Sequence, residues 1–248
     1  MLVKWFLNEI FAPIGGFEGN AQTLRILTNL EKKRPDFRGL NLTYRTMLSV
    51  VKYFNKFDYE KYKSGDKKQK FIYDDDYELL KKFIEENDVK VRTLDVQIVD
   101  IADEIAYAAH DLEDGLRVKA YTIDEILHDY QAEYGDTDCY KKFEEIVSGS
   151  KKKAGYGGKQ IGSTEYSKLF RQELASQLIN LALNDIGLVK VDEEMQRKTG
   201  TVHTEEIGFT KYKELIHGLK NIVFKCINHN DEVYHYEREG KKSYSIFM

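Results

Sequence analysis

The stretch "DVQIVDIADEIAYAAHDLEDGL", Asp95 to Leu116, constrains this chain more than any other. It has no proline, holds its only glycine back to Gly115, and is rich in alanine and branched aliphatics. It therefore predicts one long, central helix. On such a helix Asp100, Asp103, Tyr107, Asp111 and Asp114 share a stripe, because steps of three and four residues return to one face. Val99, Ala102, Ala106, Ala109, Leu112 and Leu116 form the apolar stripe opposite. Two readings of the acidic stripe stay open at this point. It is the solvated outer face of an amphipathic helix, or it faces a metal and a substrate. The second follows from the apolar content, which suits a buried helix, since a buried carboxylate needs a partner or a metal. Ala102, Ala106, Ala108 and Ala109 would also let helices approach closely and leave room for a pocket beside the acids.

Pro13 and Pro35 are the two prolines in 248 residues, so helices can run uninterrupted through most of the chain. After "GGFEGN", with Asn20 as a candidate cap, Leu24, Leu27 and Leu30 keep helical spacing. "LNLTYRTMLSVVKYF" turns Met47, Val50, Val51 and Phe54 inward, and "DDDYELLKKFIEEN" opens with acids that suit a helix N-terminus. A lysine- and glycine-rich stretch at about 148–162 reads as a loop. Beyond it, "STEYSKLFRQELASQLINLAL" places Phe170, Leu174, Leu178 and Leu181 at helical steps, and "FTKYKELIHGLKNIVFKCI" reads as a further helix. The tail "EVYHYEREGKKSYSIFM" reads as a hairpin or as a loop entering a helix. The expected class is all-α with little or no sheet. Three segments are expected: a helical core at 1–135, a basic Gly/Lys-rich loop at 136–162 and a C-terminal helical region at 163–248.

With 42% hydrophobic and 32% charged residues the chain is globular rather than disordered. Its formal charge of −4 argues against a strongly basic nucleic-acid footprint. Nucleic acid remains a possible but unfavoured partner through the local cluster "SGSKKKAGYGGK". Cys139 and Cys226 stand far apart with no CxxC, which fits reduced thiols better than a disulfide framework or a zinc site. No stretch approaches the roughly 20 apolar residues of a membrane span, and the first residues lack the organisation of a signal peptide. A cytoplasmic protein without a membrane partner is expected.

Several small motifs carry chemistry only weakly on their own. The doublets His110-Asp111 and His128-Asp129 offer metal-ligating types, but a site needs further ligands from other helices. "GYGGKQIGS" lacks the GK[ST] ending of a phosphate loop and follows no strand, so a mobile basic loop is the better reading. Arg45 and Lys52, seven residues apart on one helical face, could clamp a polyanion such as a triphosphate with Lys70, or could be ordinary surface charge. No local signature of a Ser-His-Asp nucleophile is present.

Taken together and in order, "GGFEGNAQTLRILTNLE", "GLNLTYRTMLSVVKY" and "VDIADEIAYAAHDLEDGL" are far more specific. The chain resembles the deoxyguanosine triphosphate triphosphohydrolase family, the dNTPases of the HD superfamily. The likeness is strong over about residues 15–118 and continues more weakly through "LFRQELASQLIN" and "LKNIVF". It implies an all-α, oligomeric, metal-dependent enzyme that cleaves a deoxynucleoside triphosphate to deoxynucleoside and intact triphosphate. In that family a divalent metal such as Mg or Mn is held by a His, a His-Asp doublet and a later Asp. The resemblance makes Asp103 that later Asp, packs Tyr107 against the deoxyribose and brings Asp111 near its 3′-hydroxyl. His110-Asp111 is then not the metal doublet. Asn20, Arg45, Lys52, Tyr53 and Lys70 match positions on the triphosphate and sugar side.

The chain also departs from the family pattern. The family's His and His-Asp ligands, and the His/Glu pair associated with catalysis, precede "FEGNAQ"; here the first histidine is His110. The expectation is the C-terminal portion of a dNTPase: an HD-superfamily-like core incomplete at its N-terminus, with most metal ligands missing, no certain catalytic residue and no turnover alone. Its partners would be a deoxynucleoside triphosphate and either copies of itself or a chain carrying the HD segment. The rival expectation is a non-catalytic nucleotide-binding or oligomerisation module.

Overall fold

The computed structural model describes residues 2–155, 161–228 and Glu239. In chain order its helices are α1 (Leu2–Phe11), α2 (Gly19–Arg25), α3 (Tyr44–Ser49), α4 (Tyr59–Lys63), α5 (Asp74–Asn87), α6 (Leu94–Val118), α7 (Ile123–Tyr134), α8 (Asp138–Gly155), α9 (Ser163–Asn184), α10 (Glu193–Thr199) and α11 (Lys213–Asn228). A 3-10 turn follows α1 at Ala12–Ile14, and a π-helical turn extends α2 over Ile26–Leu30. The strands β1 (Ile186–Lys190) and β2 (Glu205–Phe209) form the only sheet among the described residues. The fold is all-α, as the proline-poor, periodic sequence implies. No helix of the described residues is long and apolar enough to cross a membrane.

The described chain divides into two compact units. The first takes the residues up to Asp100 together with 190–206 and Glu239, and the second takes 101–189 and 207–228, as far as they are described. The expected division at 135 and 162 is not the structural one, because residues 190–206 join the N-terminal unit instead of a C-terminal region.

In the first unit Leu24, Met47, Leu48, Val51, Ile72 and Leu80 are buried together, with Val50, Phe54, Tyr77 and Phe83 packed around them. Helix α5 starts at the Asp74-Asp75-Asp76 run, where the acids favour the positive end of the helix. Helix α3 is shorter than its apolar spacing suggested: Thr43 caps its start, and Val50 is already its C-cap. Beyond it the segment 52–55 is held by α10, through Phe54 N–H to Thr199 O at 2.8 Å and Asn55 Nδ2 to Lys198 O at 3.0 Å. Gly200, at φ +75°, allows this closeness, since a Cβ there would stand 2.5 Å from Phe54 O.

The second unit is a helical core of Leu112, Ile126, Tyr130, Phe143, Leu174, Leu178, Leu215 and Ile216, all close to fully buried. Full burial of such side chains contributes about 1.5–3 kcal/mol each. The buried stripe of α6 here is Ile101, Ile105, Ala108, Ala109 and Leu112. That corrects the first half of the expected apolar stripe, because Val99, Ala102 and Ala106 are exposed, while Ala109 and Leu112 are buried as expected and Leu116 packs against them. The real stripe steps through the larger aliphatics, whose burial outweighs that of alanine.

The basic segment is a second correction. Residues 148–155 continue α8, whose Ser150 is buried and accepts from Gln177 Nε2 at 3.0 Å. Lys151 pairs with Asp124 at 3.1 Å and Lys153 with Glu173 at 2.5 Å. These lysines form surface ion pairs from α8 to α7 and α9, and residues 156–160 lie outside the described residues, as does the proposed hairpin tail apart from Glu239.

Candidate functional site

In the first unit, three of the residues expected to contact substrate, Asn20, Tyr53 and Lys70, gather around one carboxylate that sequence reading did not single out. Glu18 is 1% exposed and is the N-cap of α2, accepting from Asn20 N–H at 2.5 Å and Ala21 N–H at 3.2 Å. The expected cap, Asn20, instead sits in the first turn and donates its amide to Glu18 at 3.4 Å. Lys70 Nζ lies 3.1 Å from Glu18 Oε1 and 5.2 Å over the centre of the Tyr53 ring. One buried acid thus orients Asn20, Lys70 and, through Lys70, the Tyr53 ring. Burial, reinforced by the field of Asp100, pushes the Tyr53 phenol up to about 12.

Lys52 belongs to a second cluster. Its Nζ is 2.8 Å from Asp100, which also receives Arg92 Nη1 at 2.8 Å. Arg92 in turn grips Glu206 with Nε at 2.9 Å and Nη2 at 2.9 Å, and donates to Lys52 O at 3.0 Å. Thr201 Oγ1 donates to the same Glu206 at 2.5 Å. Burial raises the cost of the Asp100 charge, yet hydrogen bonds from Lys52 and Arg92 and their fields outweigh it and hold its carboxyl below the usual range. Arg92 is driven into the left-handed region at φ +58°, a conformation a side chain adopts only when its surroundings impose it.

Arg45 and Lys52 are not on one helical face, because α3 ends between them. Arg45 is 81% exposed and bonds Asp95 through Nε and Nη2 at 3.2 and 3.1 Å. It is a surface ion pair, while Lys52 is anchored inside.

In the second unit α6 presents Asp103, Tyr107 and Asp111 at successive turns of one face. Asp103 and Asp111 are half-buried, and Tyr107 is 41% exposed. Burial, followed by the charges of Asp114 and Asp103, pushes the Asp111 carboxyl up. Lys220 Nζ stands 4.7 Å over the Tyr107 ring and 2.5 Å from Glu104. Tyr121, whose hydroxyl donates to Asp111 O at 2.9 Å, fits against α6 because position 115 is glycine; a Cβ there would meet that hydroxyl at 2.0 Å. The stripe is therefore neither fully solvated nor buried, since Asp100 is enclosed in ion pairs and Asp114 is an exposed partner of Arg117.

Among the described residues, no three His, Cys, Asp or Glu side chains converge to hold a metal ion. His110 faces Glu113 at 3.7 Å, and Asp129 accepts from Cys226 Sγ at 3.6 Å. The described donors do not by themselves fit a divalent metal.

The sequence matches no protein-family model. It is 36% identical over 237 residues to deoxyguanosinetriphosphate triphosphohydrolase-like protein 2 of Vibrio cholerae, covering 95% of this chain and 54% of that protein. It is 33% identical over 240 residues to a deoxyguanosinetriphosphate triphosphohydrolase-like protein of Bartonella quintana, covering 92% of this chain and 52% of that one. A Bifidobacterium longum protein of the same name shares 36% over 144 residues, 52% of this chain and 30% of its own length. The chain spans about half the length of the relatives it matches from end to end. Matched in this way along nearly all of its residues, the chain belongs to the deoxyguanosinetriphosphate triphosphohydrolase-like family.

Proposed function

We propose that this chain is the part of a dNTP triphosphohydrolase that contacts the nucleotide, and that it acts on dGTP or a related deoxynucleoside triphosphate. The observation that carries the reading is the Asp103–Tyr107–Asp111 face of α6, two carboxylates flanking a phenol ring at successive turns of one helix. Hydrolysis breaks the bond between the α-phosphorus and O5′ of the deoxyribose. Water supplies hydroxide to phosphorus and a proton to the sugar oxygen, and triphosphate leaves intact.

In this proposal the Tyr107 ring supports the deoxyribose, and Asp111 accepts a hydrogen bond from the 3′-hydroxyl. Lys52 and Lys70 offset the charge of the triphosphate, with Arg45 at the periphery and Asn20 and Tyr53 beside Lys70. Both lysines are already held by carboxylates, Asp100 and Glu18, so their ammonium groups are fixed in place before substrate arrives. Asp103 would supply one ligand to a divalent cation, Mg or Mn, which would activate the attacking water; the remaining ligands would have to come from elsewhere, since the described residues offer no set of three. Those ligands belong to a chain or segment carrying the family's His and His-Asp motif, in an oligomeric assembly.

The test is triphosphate release from dGTP with Mg or Mn, by the chain alone and after mixing with a polypeptide carrying that motif. Release is expected only in the mixture, and Asp103→Ala should abolish it. Turnover by the pure chain, or activity that survives Asp103→Ala, refutes the proposal. Nucleotide binding without turnover in every mixture identifies a non-catalytic binding module instead.

A further inference from the structure

Of the three residues on the α6 face, Tyr107 depends most on orientation, because an aromatic ring supports a sugar only when its plane is set. Its ring is covered by a cation from α11: Lys220 Nζ lies 4.7 Å from the ring centre. The same ammonium is paired at 2.5 Å with Glu104, three residues before Tyr107 on α6. One helical turn therefore carries both the ring and the carboxylate that places a cation over it. His217, three residues before Lys220, brings Nε2 to 3.8 Å from the second Glu104 oxygen. Glu104 is thus the shared anchor of two α11 side chains. Both partners of the Glu104–Lys220 pair are largely shielded, at 27% and 34% exposure, unlike open surface pairs that contribute little.

We infer that Lys220, oriented by Glu104, is a positioning residue that fixes the Tyr107 ring for the deoxyribose of the substrate. The inference rests on the role proposed above for Tyr107. Sequence reading passed over Lys220 as part of "LKNIVF" and Glu104 as the neighbour of Asp103. With the cation gone the ring samples other rotamers, and substrate binding must order it. The sugar contact exists in ground and transition states alike, so the loss falls on KM rather than kcat. Cation–π contacts of this exposure predict about a three- to tenfold rise in KM.

The test uses two arms. In the isolated chain, NMR should show the Lys220 ε-methylene protons shifted upfield by a ring current that disappears in Tyr107→Leu. An unshifted Lys220 signal overturns the inference whether or not any assembly is active. In the active mixture, Lys220→Met should raise KM for dGTP about three- to tenfold with kcat within about twofold. Lys220→Arg, which keeps the cation, should restore most of the KM. An unchanged KM in Lys220→Met, or a fall in kcat that Arg does not rescue, also overturns it. A wild-type mixture without turnover refutes the proposed function instead, and the NMR arm then decides this inference alone.

Discussion

Replacing Glu206 with Gln should destabilise the first unit by about 3 kcal/mol, the lower end of the range for breaking a buried ion pair. The magnitude follows from the charge balance of one cluster. Arg92 and Lys52 supply two positive charges, and Asp100 and Glu206 two negative ones. The side chains of Arg92 and Glu206 are 2% and 0% exposed, so water cannot replace a lost partner. In Glu206→Gln the amide oxygen still accepts one bond, but Asp100 must then serve two cations and one buried positive charge remains unmatched. The measurement is equilibrium urea unfolding, comparing midpoints at unchanged slope. The double variant Arg92→Met/Glu206→Leu leaves Lys52 and Asp100 balanced, and should recover most of the loss apart from about 1 kcal/mol for each orphaned partner, Lys52 O and Thr201 Oγ1. A loss below about 1 kcal/mol in Glu206→Gln, or a double variant no better than the single, would refute buried charge as the cause.

Gly115→Ala should cost about 2 kcal/mol or more, because Tyr121 must abandon its place against α6 and its bond to Asp111 O; thermal unfolding reads this, and an unchanged midpoint contradicts it. Alkaline titration of tyrosine absorbance should lose one phenol that ionises near pH 12 in Tyr53→Phe. Since the folded phenol titrates above its unfolded value of about 10, its contribution to stability is intact below pH 10 and fades as pH rises towards 12. Asp100 has the opposite sign: its carboxyl is depressed in the fold, so its contribution holds above about pH 4 and is lost as acid protonates it, and Asp100→Asn should flatten the acid limb of the stability curve. Cys226, whose thiol is pushed up to about 11 by burial and by Asp129, should alkylate at pH 8 about a hundredfold more slowly than an ordinary thiol; rapid labelling of Cys226 in Cys139→Ala would contradict this.

Much of the helical frame was legible because it rests on local rules. Helix α5 begins and ends where "DDDYELLKKFIEEN" does, α9 buries Phe170, Leu174 and Leu178 of the four residues its periodicity selected, and the segment read as a further helix forms α11. The failures have physical causes. Helix α3 stops early because 52–55 bonds to α10, a partner about 145 residues away that no local pattern announces. The N-terminal half of the α6 stripe was placed one step off, since its alanines fit either face until their neighbours are known, whereas Ala109 and Leu112 were placed correctly. The lysines at 151–153 read as loop because charge was weighed above helix propensity, although lysine is a good helix former. Within the expected C-terminal helical region, residues 185–208 drew no element of their own, yet Asp192 at the N-cap of α10 and Gly200 at its end mark that short helix. Asp103, Tyr107 and Asp111 share one face of α6, as their spacing implied, while the roles proposed for them rest on family likeness. Glu18 and Glu206 were missed because a single buried acid has no sequence signature; its importance is that lysine or arginine from elsewhere reaches it.

The most direct test of the central claim is the identity of the products. With dGTP, metal, this chain and a polypeptide carrying the His and His-Asp ligands, phosphorus NMR should show intact triphosphate and chromatography an equimolar amount of deoxyguanosine, with neither formed when Asp103→Ala replaces the wild-type chain. Orthophosphate or pyrophosphate as the first product, or triphosphate formed equally well without Asp103, would contradict it.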